Sequence, residues 1–393
     1  MDARVDDASD LPKIRSIERF FIERTMEDVK RENPKKFEGF EHLDPEIQEL
    51  MLRIGRLQLI HHPTRHFKDA RLFLHLAVIS MLGSEGQLIA IYGESHSGKS
   101  HILTQLGQHK ALQPADTPEG KRRPLLMLKA RAPCTLKQLG IDILTALKSR
   151  DSERGNGLPS VNPKSYATAS QAWAEVGPLL QAYGVRVLII DEIHSILTGD
   201  GKKHFADTAA AIKSLMVDSR WPISVVIAGT TVKTKKLLEK SAELGQRLRR
   251  VAVEPIPKDR LDLVQDLVSA IENKLEFPKP SNLAGNDSPK LRDLPLRFLM
   301  ATSGHRGRIA KIIFDAARLA YLGEYPSITG EHPFITKELL ASALRHRTGV
   351  ADKVNAFLME NAAMAPIIAD EAWEKDDEDD VSSLTGKDGD SGS

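Results

Sequence analysis

Gly93-Glu94-Ser95-His96-Ser97-Gly98-Lys99-Ser100 sets two glycines, a lysine and a hydroxyl at the spacing G-x-x-x-x-G-K-[ST]. Glycines let a backbone curl until its N–H groups face inward, where they bind phosphate oxygens. Lys99 would neutralise β- and γ-phosphate oxygens, and Ser100 would ligate Mg²⁺ through its hydroxyl. A helix that begins here presents its N-terminus to the same charge and brings His101 into the binding set. The implied ligand is ATP with Mg²⁺. Further on, Val185-Arg-Val-Leu-Ile-Ile190 runs into Asp191-Glu192. Asp191 would hold the metal, and Glu192 would polarise the attacking water. A third apolar run ends Ile227-Ala-Gly-Thr230-Thr231, where a hydroxyl is placed to sense a γ-phosphate.

Two arginine-bearing stretches follow. Phosphoryl transfer needs a cation against the transition state. Arg247, in Ser241-Ala-Glu-Leu-Gly-Gln-Arg247-Leu-Arg249-Arg250, is the first choice and Arg250 the second. Supplied by a neighbouring copy, it implies a head-to-tail ring or filament. Ser303-Gly-His-Arg306-Gly-Arg308 opens a helical region and offers Arg306 to the phosphates.

These groups need elements to position them. Apolar spacing predicts helices over 11–32, 45–60 and 66–82, the second begun by Pro45 after Asp44. Short apolar runs at 87–92, 124–128, 185–190 and 223–228 predict buried strands. Helices are predicted between them at 101–108, 136–147, 169–183 and 206–217, with Gly177-Pro178 a point of kinking or division in the third. Residues 151–165 read as a loop or insertion. After Pro257 strand signals stop, and helices are predicted at 261–275, 294–301, 308–322 and 336–345. Alternation followed by helices alone predicts an α/β fold: a parallel sheet flanked by helices, then a small all-helical lid.

A length of 393 residues fits about two or three domains of roughly 100–200 residues each. A lone cysteine, Cys134, excludes a disulfide framework or a multi-thiolate metal site and fits a reducing, cytoplasmic setting. His61, His62, His66 and His75 lack the companions that a metal site needs. No apolar run is long enough to span a bilayer, and the acidic first ten residues lack the apolar stretch of a secretory signal. The net charge of +1 is a cancellation. Residues 1–50 carry 9 basic and 14 acidic side chains, residues 370–393 carry 2 and 10, and the remainder carries 44 and 30, a net of +14. The basic centre suits a phosphate backbone. The acidic tail reads as disordered, a partner-docking arm or a decoy for the basic centre.

Together the motifs resemble an AAA+ ATPase, and more narrowly the TniB/TnsC family of transposition ATPases. The narrower resemblance rests on Ile60-His-His-Pro63, Ile91–Ser100, Leu188-Ile-Ile-Asp-Glu-Ile-His194, Val226–Thr231 and Glu243-Leu-Gly-Gln-Arg247-Leu248, and spans about residues 50–345. It implies a bacterial, DNA-associated regulator that polymerises with ATP on double-stranded DNA. Such a protein couples target selection, by a partner of the TniQ/TnsD kind, to a DDE-type transposase, and hydrolysis disassembles the polymer. It also implies that Lys129, Arg131 and Lys137 face DNA. The implied division is an N-terminal helical extension (1–50), an ATP-binding core (51–256), a helical lid (257–350) and a C-terminal segment with the acidic tail (351–393), the two ends being partner-binding. One departure stands out: where a second sensor carries arginine three residues after glycine, this chain has Gly307. A helicase-loader-like ATPase and a nucleotide-gated scaffold with little turnover are the alternatives. Asp191-Glu-Ile-His194 also resembles the D-E-x-H box of helicases, but the second α/β domain that those enzymes need is missing from the pattern after Pro257.

Overall fold

A computed structural model describes residues 17–32, 34–62, 64–80, 85–117, 120–131, 134–148, 166–197, 202–239, 247–285, 291–323, 334–370 and 372–373. In chain order the helices α1 (Met26–Glu32), α2 (Pro45–Leu57) and α3 (Arg65–Ile79) precede strand β1 (Leu88–Tyr92). Then come α4 (Lys99–Leu106), β2 (Ala115–Thr117), β3 (Gly120–Arg122), β4 (Leu125–Lys129), α5 (Leu136–Lys148), α6 (Ala169–Ala182) and β5 (Val187–Asp191). They are followed by α7 (Lys202–Val217), β6 (Ser224–Gly229), α8 (Thr231–Glu239) and β7 (Leu248–Ala252). Helices α9 (Leu261–Glu272), α10 (Leu294–Thr302), α11 (Arg306–Tyr321) and α12 (Lys337–Thr348) complete the regular elements.

Five strands form one sheet in the order β4-β5-β6-β1-β7. The central β1, β5 and β6 are buried along their whole length, as parallel strands covered on both faces must be. Strands β4 and β5 run parallel with Leu125 opposite Val187 and Lys129 opposite Asp191, and β5 and β6 run parallel with Ile190 opposite Ile227. Edge strand β7 alternates: Leu248 and Val251 are buried, Arg249 and Arg250 exposed. Charged residues on an edge oppose pairing with another chain. Its two arginines conceal it in the sequence, where the stretch reads as a basic helix. The small β2–β3 hairpin also goes unannounced by hydropathy.

Three local expectations are corrected. The helix expected over 11–32 is, among its described residues, a short turn at Glu18–Phe20, an extended link and then α1. Thr25 and Asp28 cap each other at that start: the Thr25 N–H and hydroxyl donate to Asp28 Oδ2 at 2.9 and 2.8 Å, and the Asp28 N–H donates to Thr25 Oγ1 at 3.3 Å. The link is pinned as Phe21 bridges His109 and the Ile22 N–H donates to the Gln108 carbonyl at 2.9 Å. Second, α6 runs through Gly177-Pro178 unbroken. A Thr168–Gln171 capping box fixes its start, and burial of Ala172, Val176, Leu179 and Leu180 outweighs the lost hydrogen bond. Third, α8 occupies residues assigned no element. The predicted insertion at 151–165 lies outside the described residues.

The chain divides into two compact units, which group residues differently from the divisions expected at 50, 256 and 350. One takes the described residues among Met1–Glu23, Arg65–Ile91 and Ser100–Val251, and holds most of the sheet. The other takes those among Arg24–Thr64, Tyr92–Lys99 and Ala252–Ser393. Its core joins Leu57 and Ile60, from the end of α2, to apolar faces of α9 to α12 and to Ala356, Phe357 and Trp373. Buried Arg297 fastens the C-terminal segment, with Nη1 donating to the carbonyls of Ala356 and Met359, each at 2.6 Å. Acidic composition predicts no order from residue 370, yet Trp373 is among the largest fully buried side chains.

Candidate nucleotide site

The predicted phosphate loop belongs to the second unit. It leaves β1 at Tyr92, whose carbonyl accepts from the Val253 N–H at 2.7 Å. It curls through left-handed backbone at His96 (φ 57°) and Gly98 (φ 101°), with the Ser97 N–H donating to the Glu94 carbonyl at 3.3 Å. Lys99 is buried, with Nζ donating to the carbonyls of Gly93 at 3.1 Å and Glu94 at 2.7 Å and to Ser97 Oγ at 3.4 Å. A buried ammonium needs such partners. Glu94 is exposed, and Ser95 half-buried.

Helix α11 is seated directly on this loop. A Cβ at Gly307 would lie 2.1 Å from the His96 carbonyl oxygen and 2.8 Å from the Gly98 nitrogen, so only glycine fits there. The departure from the second-sensor pattern thus has a packing cause. One turn on, Lys311 Nζ lies 2.7 Å from His96 Nδ1. An ammonium can only donate, so that ring nitrogen accepts. Arg306 Nη1 donates to the Glu254 carbonyl at 2.7 Å. Arg308 is wholly buried, with Nη2 on Asp370 Oδ1 at 2.6 Å and its guanidinium 5.0 Å from the Trp373 ring centre. His305 beside them is held down to about 4, by burial first and then by Arg308, Lys99 and His96, against the opposing pull of Asp370.

The acidic strand end belongs to the first unit. Asp191 closes β5, buried, with Oδ1 accepting from the Glu192 N–H at 2.8 Å. Glu192 has φ 54°, a strained conformation for a side-chain-bearing residue. Its Oε2 lies 3.0 Å from His194 Nε2. The turn Ile193–Leu197 presses on the tip of β6. A Cβ at Gly229 would lie 2.9 Å from Ile193 Cγ2 and 2.7 Å from Thr234 Oγ1. Thr230 follows, its carbonyl accepting from the Thr234 N–H at 3.0 Å to start α8. Ser100, exposed on α4, and His101, lowered by burial, are also in this unit.

These groups fit a nucleotide and a hard cation. The curled loop and buried Lys99 are an anion-binding construction. Hydroxyl and carboxylate oxygens suit Mg²⁺, which takes few protein ligands and leans on phosphates. Consistent with that, no group of three or more His, Cys, Asp or Glu able to hold a metal occurs among the described residues.

Residues 75–257 match the family model of the bacterial TniB protein. This chain carries a TniB/TnsC-type AAA+ ATPase module. The TniB stretch contains the phosphate loop, the acidic pair, Thr230 and Arg247, while α11 with Gly307 and Lys311 lies beyond it. No curated protein matches. Similar solved structures include the ORC1 protein of Aeropyrum pernix in complex with DNA, at 14% identity and TM-score 0.47, covering 74% of this chain and 66% of that one. The Aeropyrum pernix ORC2 protein (ADPNP-ADP complexes) gives 14% and 0.49, covering 72% and 68%. Cdc6p of Pyrobaculum aerophilum gives 11% and 0.48, covering 76% and 70%. This chain therefore spans just under two thirds of the first of them.

The remaining predicted residues of the TniB module are all engaged. Arg247 is forked onto Glu85, with Nε donating to Oε2 at 2.6 Å and Nη2 to Oε1. Lys129 is exposed at the end of β4, in register with Asp191. Arg131 is exposed, its Nε 3.8 Å from Asp142 Oδ1, and Lys137 Nζ donates to the Ala167 carbonyl at 2.9 Å. Cys134 is buried, its thiol pushed up to about 11, chiefly by burial. His75 pairs with His109 at 3.1 Å. No helix among the described residues is long and apolar enough to cross a membrane. Sequence reasoning missed Lys311, His305, Glu85 and Gly229. Gly307 was the available signal for the first two, since a glycine opening a helix marks a close approach.

Proposed function

We propose that this protein is an ATP-hydrolysing, DNA-binding regulator of transposition. It oligomerises on double-stranded DNA and couples a target-selection partner to a DDE-type transposase, and hydrolysis dismantles the assembly. The observation that carries this reading is the strained Glu192 at a buried strand end, inside the TniB-matching stretch that also holds the curled loop. When bound, ATP with Mg²⁺ supplies the phosphoanhydride and the charge that the site manages. Loop N–H groups and Lys99 hold and neutralise the phosphates, and Ser100 and Asp191 hold the metal. Glu192 takes the proton of the attacking water, Thr230 orients that water, and Arg247 serves a neighbouring copy. Lys129 and Arg131, exposed beside the acidic strand end, track the DNA backbone with little sequence preference. The setting is the bacterial cytoplasm.

The test is electron microscopy with duplex DNA and a non-hydrolysable ATP analogue. Rings or filaments that need both are expected, and their absence would remove the polymer reading. One observation favours a second reading, a nucleotide-gated scaffold with slight turnover. Glu192 Oε2 is already engaged by His194 at 3.0 Å, a tether that would slow proton transfer. Steady-state phosphate release on DNA separates the two.

A further inference from the structure

We propose that Lys311 is the lid's phosphate-binding cation, set through His96 to contact the terminal phosphates of a nucleoside triphosphate. The inference rests on the nucleotide reading above and names a residue that the sequence pattern does not.

Three cations sit in the first two turns of α11: Arg306, Arg308 and Lys311. Arg306 gives Nη1 to the Glu254 carbonyl. Arg308 is wholly buried, with Asp370 on one nitrogen and Trp373 against its plane, so it has no path to a soluble ligand. Lys311 differs. It stands four residues after Gly307, on the same helix face. Gly307 is the point where that face touches the loop, 2.1 Å from the His96 carbonyl for an added Cβ. The Lys311 ammonium reaches His96 Nδ1 at 2.7 Å.

His96 is a loop residue turned by a left-handed backbone (φ 57°), so the contact lies on the phosphate loop itself. A bond to a neutral imidazole leaves the lysine's charge in place. A loop of inward N–H groups already favours anions. A second cation brought against it adds repulsion that only an anion relieves. His305, held down to about 4 in the same corner by burial, Arg308, Lys99 and His96, reports that positive field. Partial burial strengthens each ammonium–phosphate contact above its value in water.

The test uses the full chain and its Lys311→Met, Lys311→Arg and Lys99→Ala variants, titrated with fluorescent ATP and ADP. Melting without nucleotide is followed in parallel. A charge-assisted contact predicts that Lys311→Met weakens ATP binding about tenfold or more. ADP binding should weaken clearly less, the apo melting temperature should hold, and Lys311→Arg should recover much of the ATP affinity. Unchanged ATP affinity in Lys311→Met would overturn the proposal. So would equal losses for ATP and ADP with a lowered melting temperature, which would make Lys311 a packing residue of the loop. If Lys99→Ala binds ATP as well as the unsubstituted chain, the nucleotide reading itself fails, and this inference with it.

Discussion

The phosphate loop and the acidic strand end reach order by opposite routes. At the strand end, neighbours in sequence do the positioning: Asp191 accepts from Glu192, Glu192 pairs with His194, and Gly229 presses on the turn between them. At the loop, support comes from far along the chain. Val253 and Glu254 brace it, Gly307 and Lys311 lie on it, and Asp370 and Trp373 hold the helix that carries them. Chemistry that needs a fixed carboxylate is thus encoded within a few residues. The anion-binding cradle is hostage to folding of the whole helical region.

The largest effect expected is at the local end. Glu192→Gln keeps the shape and removes the base, so turnover should fall by about 10²–10⁴-fold. Assemblies should persist once formed, because disassembly follows hydrolysis. Phosphate release and sedimentation with ATP measure both. An unaltered rate would show that the strained carboxylate is not the base and that its φ of 54° serves packing alone.

The long-range end breaks from its far terminus. Truncation ahead of Asp370 strips a buried guanidinium of its carboxylate and removes a buried tryptophan, changes that cost about 3–5 kcal/mol each in comparable sites. Asp370 is half exposed, which lessens its share. Ending the chain after Trp373 should instead leave melting unchanged and remove a further net charge of −6. That shorter cut should raise DNA affinity, most visibly at low salt. Equal melting temperatures for the two truncations would detach the C-terminal root from the loop's support.

This contrast decides what the sequence could show. G-x-x-x-x-G-K-S and the apolar strand ending in Asp-Glu were legible because their geometry is local, and the central strands because burial on both faces leaves an unbroken apolar run. Edge strand β7 was not legible, since Leu-Arg-Arg-Val alternates without looking apolar. Neither was α1's late start, set by the Thr25–Asp28 cap inside what reads as one helical face. Lys311 was invisible for a different reason. Its partner His96 is 215 residues away, and no spacing rule links them. The compact units group α2 with α9 to α12 through apolar contacts that composition alone does not rank.

Gly307→Ala tests the close approach directly. A methyl group aimed at backbone, not at a flexible side chain, forces α11 or the loop to move, at about 1–3 kcal/mol. ATP affinity should fall together with the melting temperature. Gly177→Ala, where an added Cβ meets a side-chain atom only at 4.0 Å, is the matched control in α6 and should stabilise slightly. Loss of stability without loss of nucleotide affinity would mean that the loop keeps its shape without the helix.

The smallest effect expected compares one buried histidine from each unit. His109 is held down to about 4 by burial first and then by His75, and His305 to about 4 by burial first and then by Arg308. Unfolded, each takes up a proton near the ordinary histidine value of 6.5, so between 6.5 and about 4 the unfolded chain binds more protons. Stability should therefore be full above pH 6.5 and fall as pH drops toward 4. Melting followed across that range should show a slope that His109→Gln and His305→Gln each reduce. The two should differ in range. His109 lies among Phe20, Phe21 and His75, so its substitution should change only the acid slope. His305 adjoins Gly304, which packs on Ile256, and feels Lys99 of the loop, so its substitution should also weaken ATP binding at neutral pH. Identical behaviour in the two variants would erase the difference between a locally built site and one assembled from afar.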